Sequence, residues 1–500
     1  MSPLISLLKP FVINRILKSL TGDIRDLRKI ARLGNVPIKN PNLEEFLKGL
    51  SRGIEEEKGI ALQFARLGRL GSSTAKRKIV ENVIWNWAVK GKAKRERFQT
   101  EDIWFPTFVV MSPSMRCNLR CTGCYSGLYT KDGELSEEEM DRVLYESRSY
   151  GNHFAVISGG EPYLLKDKLL RLFRKYDDML FLTFTNGTLL DDETVGELAR
   201  LGNVMPGISV EGYEEQTDER RGVGVHAKVL EAMARLKRAG VIFGVSVTYT
   251  SQNIDTVTSD EFVQYCLEQG AMFAWYFMFM PVGKDPILEL VPTPEQRVYT
   301  GERVSELRRQ YPLFMSDFWN DGPAVRGCLA GGRQYLHILN SGRIEPCVFA
   351  HFGVDNIREK TIMEAVNSPF FRAIRESFPY NDEGNLRRPC MIIDNPEVLR
   401  EVVETYMVPA GHKHSEDIIH DQKMVRWVDE YAAAFRALVD PMWEKDTNDP
   451  NHRWYKGGEE YQNLFKYRKK SARKKAAKKA EKSSEAERSA KKIAEKTVVT

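Results

Sequence analysis

Three of the chain's seven cysteines fall within eight residues, in Cys117-Asn-Leu-Arg-Cys121-Thr-Gly-Cys124, at spacings of four and three. Thiolates are soft ligands. Three of them on one short loop can hold three corners of an iron–sulfur cluster and leave the fourth iron without a protein ligand. An open iron is where a small molecule can coordinate and be activated. A zinc knuckle is the competing reading, and three incidental thiols the plainest one. Zinc sites usually pair two Cys-x-x-Cys knuckles or add histidines at set spacing. No histidine lies between Asp102 and Tyr150.

About thirty-five residues further on comes Ser158-Gly-Gly-Glu-Pro162. Gly159 and Gly160 permit close backbone approach, and Glu161 with Pro162 fixes the turn. In this order the two motifs resemble the radical S-adenosylmethionine (SAM) superfamily, over roughly residues 105–283. That resemblance implies a four-iron cubane on Cys117, Cys121 and Cys124 whose free iron binds the amino and carboxylate groups of SAM. Its reduction cleaves SAM to methionine and a 5′-deoxyadenosyl radical, which takes hydrogen from an unactivated carbon. It further implies SAM contacts at Gly159, Gly160, Glu161 and Pro162, at Asn186, and at Ser209 and Glu211 in a Ser-x-Glu-Gly variant of the family's Ser-x-Asp-Gly. Glu161 either meets the SAM amino group directly or shapes the loop. Arg221, from the pair Arg220-Arg221, is assigned to the SAM carboxylate, since guanidinium grips carboxylates in a two-pronged geometry. The chain departs from the family at Gly123, where an aromatic residue is usual; Tyr125 follows instead.

These residues must be carried by a scaffold that brings loops together. Strand patterns at 107–111, 154–158, 180–185, 205–210, 241–248 and 273–280 alternate with helical ones at 136–150, 164–176, 192–201 and 227–239. Ser136 with Glu139 reads as a capping box. Long crossovers make a parallel sheet. The fold class is therefore α/β, a partial (β/α)6 TIM-type barrel with its motifs at the strands' C-terminal ends, where such sheets bind ligands. The sixth strand is apolar at nearly every position and suits either a buried strand or the wall of a greasy cavity. Asp317-Phe-Trp-Asn-Asp321-Gly reads as an acidic, aromatic loop able to close over the barrel mouth.

A second cysteine set follows. Cys328 precedes a predicted hairpin, strands 334–339 and 343–348 about Asn340-Ser341-Gly342, which carries Cys347. The pattern resembles the opening of the SPASM and Twitch extensions of radical SAM enzymes. This implies an auxiliary iron–sulfur cluster on Cys328, Cys347 and Cys390, with a fourth ligand from substrate, water, Asp394, His337 or His351. Zinc and ordinary thiols remain the alternatives. Cys266 sits on a helical pattern and reads as core. His412, His414 and His420 read as surface residues ahead of a helix capped by Ser415.

The division expected is a helical, membrane-surface N-terminal region (1–100), the radical SAM core (101–290), a helix plus a small Twitch-like α+β extension (291–395), C-terminal helices (396–460) and a basic, disordered tail (461–500). Residues 4–20 form a basic amphipathic stretch that suits packing on the core or lying on a membrane; Trp85 and Trp87 suit a lipid interface or helix packing. Between 466 and 496 there are fourteen Lys or Arg against four Glu, while the whole chain carries only +5. Such a tail has little to bury and attracts anionic surfaces. No apolar run reaches the ~20 residues that span a bilayer, no secretory signal opens the chain, and clustered cysteines suit a reducing cytosol. The expected location is cytoplasmic, peripheral on the inner face of the membrane. No specific nucleic-acid binding is expected, and an external electron donor of the flavodoxin or ferredoxin type is implied. The first substrate class suggested is a lipid or other apolar chain at the membrane surface. Peptide or protein maturation is the second, and a non-catalytic iron–sulfur scaffold the third.

Overall fold

The computed structural model describes residues 3–31, 50–56, 58–98, 103–284 and 286–465. The basic stretch 466–500 and the side chains of Leu4, Leu7 and Leu8 lie outside the described residues. Six parallel strands form the barrel: β1 (Val109–Met111), β2 (Phe154–Ile157), β3 (Leu180–Thr185), β4 (Val204–Val210), β5 (Gly244–Tyr249) and β6 (Phe273–Met278). Helices cover them from outside. The first of these, Glu137–Ser149, starts in the capping box of Ser136 and Glu139.

The sheet is wider than the six expected strands. Phe314–Asp317 adds β7 in parallel to β6. At the other edge β8 (His337–Ile338) pairs in parallel with β1, and β9 (Arg343–Glu345) and β10 (Asp355–Asn356) continue antiparallel. The predicted hairpin is therefore present, but it is welded onto the barrel. These added strands are two to four residues long, too short for a period-two pattern to reveal their pairing.

Side-chain alternation along each strand decides where the core sits. One face packs on helices and is dry: Val109, Met111, Ala155, Phe181, Ile208, Val247 and Tyr249 are fully buried. The other faces the barrel interior, where Phe108, Phe154, Phe184, Met205, Trp275 and Phe277 keep part of their surface exposed. The sixth strand splits the same way, with Trp275 and Phe277 inward and Tyr276 bonding outward to the carbonyl of Val257 at 2.8 Å.

The N-terminal helices are packed against the protein. In helix Pro3–Ser19, Ile13 and Ile16 are buried, and the helix contacts Ser73–Ile79 and the π-helical stretch Val80–Gly91. That stretch is tied to the barrel floor by Asn82 Nδ2 donating to the carbonyls of Asp177 and Met179, and by Trp87 Nε1 donating to Thr107 O. Of the two readings open for the tryptophans the structure takes packing: Trp85 is buried in the core and Trp87 faces the barrel interior.

Two further expectations are corrected. Asp421, not Ser415, caps the long helix Gln422–Asn448. His412 is not a plain surface residue, because its Nε2 lies 2.7 Å from His351 Nδ1. Cys266 is core, as read.

Asp317 ends β7 and belongs to the fold instead of to a mobile flap. Burial, with Asp321 nearby, pushes its carboxyl up to about 6, against the pull of Asn320 and Trp319 donating to it. An acid whose folded pKa exceeds its unfolded one binds more protons when folded. Its contribution is thus present at low pH and lost as pH rises from about 4 to about 6, by about 3 kcal/mol at ~1.4 kcal/mol per unit. In Asp317→Asn the melting profile should lose this fall between pH 4 and 7; parallel profiles for the two proteins would show that the carboxyl is not strained.

Candidate active site

The cysteine loop follows β1 and is clamped from two sides. Gly160 N donates to Ser114 O at 2.9 Å and Glu161 N to Arg116 O at 2.8 Å. Such closeness needs glycine: a Cβ on Gly160 would lie 2.0 Å from Arg116 O, and one on Gly159, at φ +116°, 2.4 Å from Ser114 O. On the far side Thr122 N donates to Arg220 O and Lys284 N to Cys124 O. Gly123 adopts φ +61°, with the ring of Phe279 where its side chain would be, 2.3 Å from an ideal Cβ. The aromatic missing from the loop is thus supplied by the segment after β6.

Cys117, Cys121 and Cys124 line one cavity of about 1290 Å³ together with Gly159, Gly160, Asn186, Ser209, Arg220 and Arg221. Sulfur-directed donors are already in place. Leu119 N lies 3.4 Å and Asn186 Nδ2 3.8 Å from Cys117 Sγ, and Ser126 Oγ lies 3.4 Å from Cys124 Sγ. Burial raises the Cys117 thiol above its ordinary range. Three soft donors on one loop, with N–H groups and cationic side chains around them, fit an iron–sulfur cluster.

Three residues from the expected SAM loops, Glu161, Pro162 and Glu211, lie off the cavity wall, Glu161 in the loop-shaping role that was one of its two readings. Glu161 is buried. Its Oε1 accepts from Tyr163 N and Thr185 Oγ1 and its Oε2 from Asn186 N, so the carboxylate shapes the loop and faces away from the cavity. Pro162 begins a buried turn of 3-10 helix behind it. Glu211 is also buried and off the cavity wall: its Oε1 accepts from Arg220 (2.5 Å) and Arg221 (2.8 Å) and its Oε2 from Thr248 N. Its work is to hold two arginines at the cavity. The buried Nε of Arg220 has no partner. Sequence reasoning missed the packing of Phe279 on Gly123 and the inward row Phe108, Phe154, Phe184 and Met205; alternation along the strands was the signal for that row.

The second cysteine set is deeper. Burial pushes the thiols of Cys328 and Cys390 up, the former to about 12, and raises that of Cys347 as well. Thiolates there need a compensating cation, which coordinated iron supplies. Tyr335 Oη lies 3.2 Å from Cys347 Sγ. The hydroxyl of Tyr380 is fully buried without a partner and lies in the electrostatic field of all three sulfurs. An acceptor-rich cluster would satisfy it. The proposed fourth ligands are committed elsewhere. Asp394 forms a two-pronged pair with Arg297, both fully buried, and accepts from Cys390 N. His337 meets Ser112 at 2.7 Å, and His351 meets His412. Among the described residues no three His, Cys, Asp or Glu close on a point as ligands of one ion would.

The description "Radical SAM superfamily" matches residues 111–265, and "Iron-sulfur cluster-binding domain" (SPASM) matches 328–391. The chain carries a radical SAM domain followed by a cluster-binding extension; it is an enzyme, and its cofactors are SAM and 4Fe-4S clusters. Among its relatives, an "AdoMet-dependent heme synthase" of Methanosarcina barkeri is 26% identical over 59% of this chain and 90% of its own. A "PqqA peptide cyclase" of Rhodopseudomonas palustris is 26% identical over 58% of this chain and 80% of its own. The solved Streptococcus suis SuiB bound to S-adenosylmethionine is 17% identical, with TM-score 0.47, covering 70% of this chain and 77% of that one.

The clamp makes a direct prediction. Gly160→Ala should lose the iron held on the Cys117 loop and keep the auxiliary iron, roughly halving iron per chain after anaerobic reconstitution. Gly196→Ala, whose Cβ meets nothing closer than 3.6 Å, should keep full iron. Equal iron in both variants would show that the close approach is not what seats the loop.

Proposed function

We propose that this radical SAM enzyme is a maturase, taking hydrogen from an unactivated carbon of a large precursor of the peptide or tetrapyrrole kind. The observation that carries this reading is one shared cavity: the cysteine loop and the SAM-loop residues open onto a space that continues past them into the barrel. The names of the relatives support the substrate class.

In this reading Cys117, Cys121 and Cys124 would hold a 4Fe-4S cluster, and Cys328, Cys347 and Cys390 an auxiliary one. When bound, the open cluster and SAM together supply the one-electron chemistry that generates a hydrogen-abstracting species. The chain's own residues do the positioning. The Gly159–Gly160 backbone, Asn186 and Ser209 would hold SAM at the cavity mouth. Arg220 and Arg221, pinned by Glu211, would present guanidinium to its carboxylate. Glu161 and Pro162 fix the loop from behind. The aromatic rows keep water from the reacting carbon. A flavodoxin- or ferredoxin-type donor would deliver the electron.

A lipid at the membrane surface is the second reading, favoured by the apolar interior. Against it stands the burial of Ile13 and Ile16 of the N-terminal helix against the rest of the protein. No helix among the described residues is long and apolar enough to cross a membrane.

Reconstituted anaerobically with reductant and SAM, the protein should form 5′-deoxyadenosine, and Cys121→Ala should lower that by at least a hundredfold. Wild-type protein that retains its iron and forms none would overturn the enzymatic reading and favour a scaffold.

A further inference from the structure

The barrel interior is not filled. In closed barrels of this kind, inward side chains from alternate strands meet in layers and pack the centre. Here the inward row of every strand instead lines the cavity that begins at the cysteines. It runs from Phe108 and Val110 on the first strand through Phe154 and Val156, Leu180, Leu182 and Phe184, to Trp275 and Phe277. Between them β4 and β5 place Gly207 opposite Gly244 at inward-parity positions, so two adjacent strands contribute no side chain at that level. From Leu180, at the start of β3, to Asn186, just past its end, the lining spans six residue steps, roughly 20 Å at ~3.3 Å per residue. The floor is Asn82, Val83 and Trp87 of the π-helical stretch together with His153, whose Nδ1 lies 3.0 Å from Asp178 O.

Polarity changes along this length. Around the cysteines the wall carries Ser158, Asn186, Ser209 and Thr248, with Arg120 and Lys131 at the rim beside Arg116, which is paired with Glu134 at 2.8 Å. Beyond them the inward residues are aliphatic or aromatic down to the floor. Among the described lining residues there is no Asp or Glu. Partly exposed Phe, Trp and Met around a large cavity are unfavourable in water and mark a place that an apolar ligand covers. At about 1290 Å³ the space exceeds the ~300–1,000 Å³ usual for one drug-sized ligand. It therefore has room for SAM at the mouth and a second molecule below.

We infer that the barrel holds an extended apolar molecule bearing an acidic end group, its body on the aromatic wall and its acid toward the cationic rim. This rests on the enzymatic reading and narrows its substrate side: a tetrapyrrole acid keeps one branch of the proposed function, a long-chain acid restores the second reading, and the peptide branch is set aside. The chemistry has two sources, a long-chain acid and a tetrapyrrole acid, and the test separates them.

Tryptophan fluorescence of the reconstituted full chain is titrated with 9,10-dibromostearate and, separately, with mesoporphyrin; an apolar octapeptide is the third probe. Trp87 and Trp275 lie in the cavity and report quenching. Val110→Phe and Val156→Phe add bulk on neighbouring inward positions that face each other in register. Each is checked for melting midpoint and iron content, and either one that folds suffices. At least one of the two acids should quench with saturation, and the filled variants should bind it at least tenfold more weakly. The acid that does so names the source. Quenching by neither acid, quenching that the fillings leave unchanged, or saturable binding of the peptide alone would overturn the inference. Formation of 5′-deoxyadenosine by the same wild-type sample reports separately on the proposed function. Deoxyadenosine without acid binding therefore refutes this inference alone, and acid binding without deoxyadenosine strikes the enzymatic reading.

Discussion

The site depends on how closely two backbones approach between β1 and β2. The cysteine loop and the Gly159–Gly160 segment share two backbone hydrogen bonds, at a separation where a single methyl group would collide with Arg116 O. Glu161 completes the joint by reaching the other way, to Thr185 and Asn186 at the end of β3. Its carboxylate is buried, and burial raises its pKa above the ordinary range. Three donors offset that desolvation, each hydrogen bond to a charged group contributing about 1.5–3 kcal/mol. Three consecutive loops are thereby locked into one surface. Glu211 does the same one strand along, gathering Arg220, Arg221 and the backbone of Thr248. Both acids act one layer back, as anchors for groups that line the cavity: Glu161 in the loop-shaping role left open for it, Glu211 in place of the ligand contact expected of it.

A similar economy holds the extension to the barrel. Arg297 is fully buried, pairs with Asp394 and stacks 3.8 Å above the ring of Phe435 in the long C-terminal helix. Breaking such a pair by removing one partner typically costs 3–5 kcal/mol, because the other charge stays buried and alone. Asp394 also accepts from Cys390 N. One ion pair thus joins the helix after the barrel, the C-terminal helix and the loop of the third auxiliary cysteine.

Much of this was legible in the sequence because it is written locally. Cysteine spacing, a capping box, glycine pairs and six apolar strand patterns each need only a short window, and the barrel and both cysteine sets follow from them. What was not legible depends on pairing across long separations. His337–Ile338 becomes a strand only because Val110 and Met111 offer it an edge. Trp87 becomes a floor only because Asn82 finds the carbonyls of Asp177 and Met179. Gly123 departs from the family's usual aromatic, and nothing nearby in the sequence shows that Phe279, more than 150 residues on, fills the same space. The basic amphipathic pattern of residues 4–20 predicts a helix with an apolar face, but such a pattern does not say which surface covers that face, protein or lipid.

The central claim is that Cys117, Cys121 and Cys124 leave one iron open at the cavity that also takes SAM. Electron paramagnetic resonance of the reduced, reconstituted Cys328→Ala/Cys390→Ala protein isolates that cluster. Adding SAM should change its g-values, because a ligand has entered the iron's coordination sphere. A spectrum identical with and without SAM, in protein whose iron remains bound at about four per chain, would contradict the account.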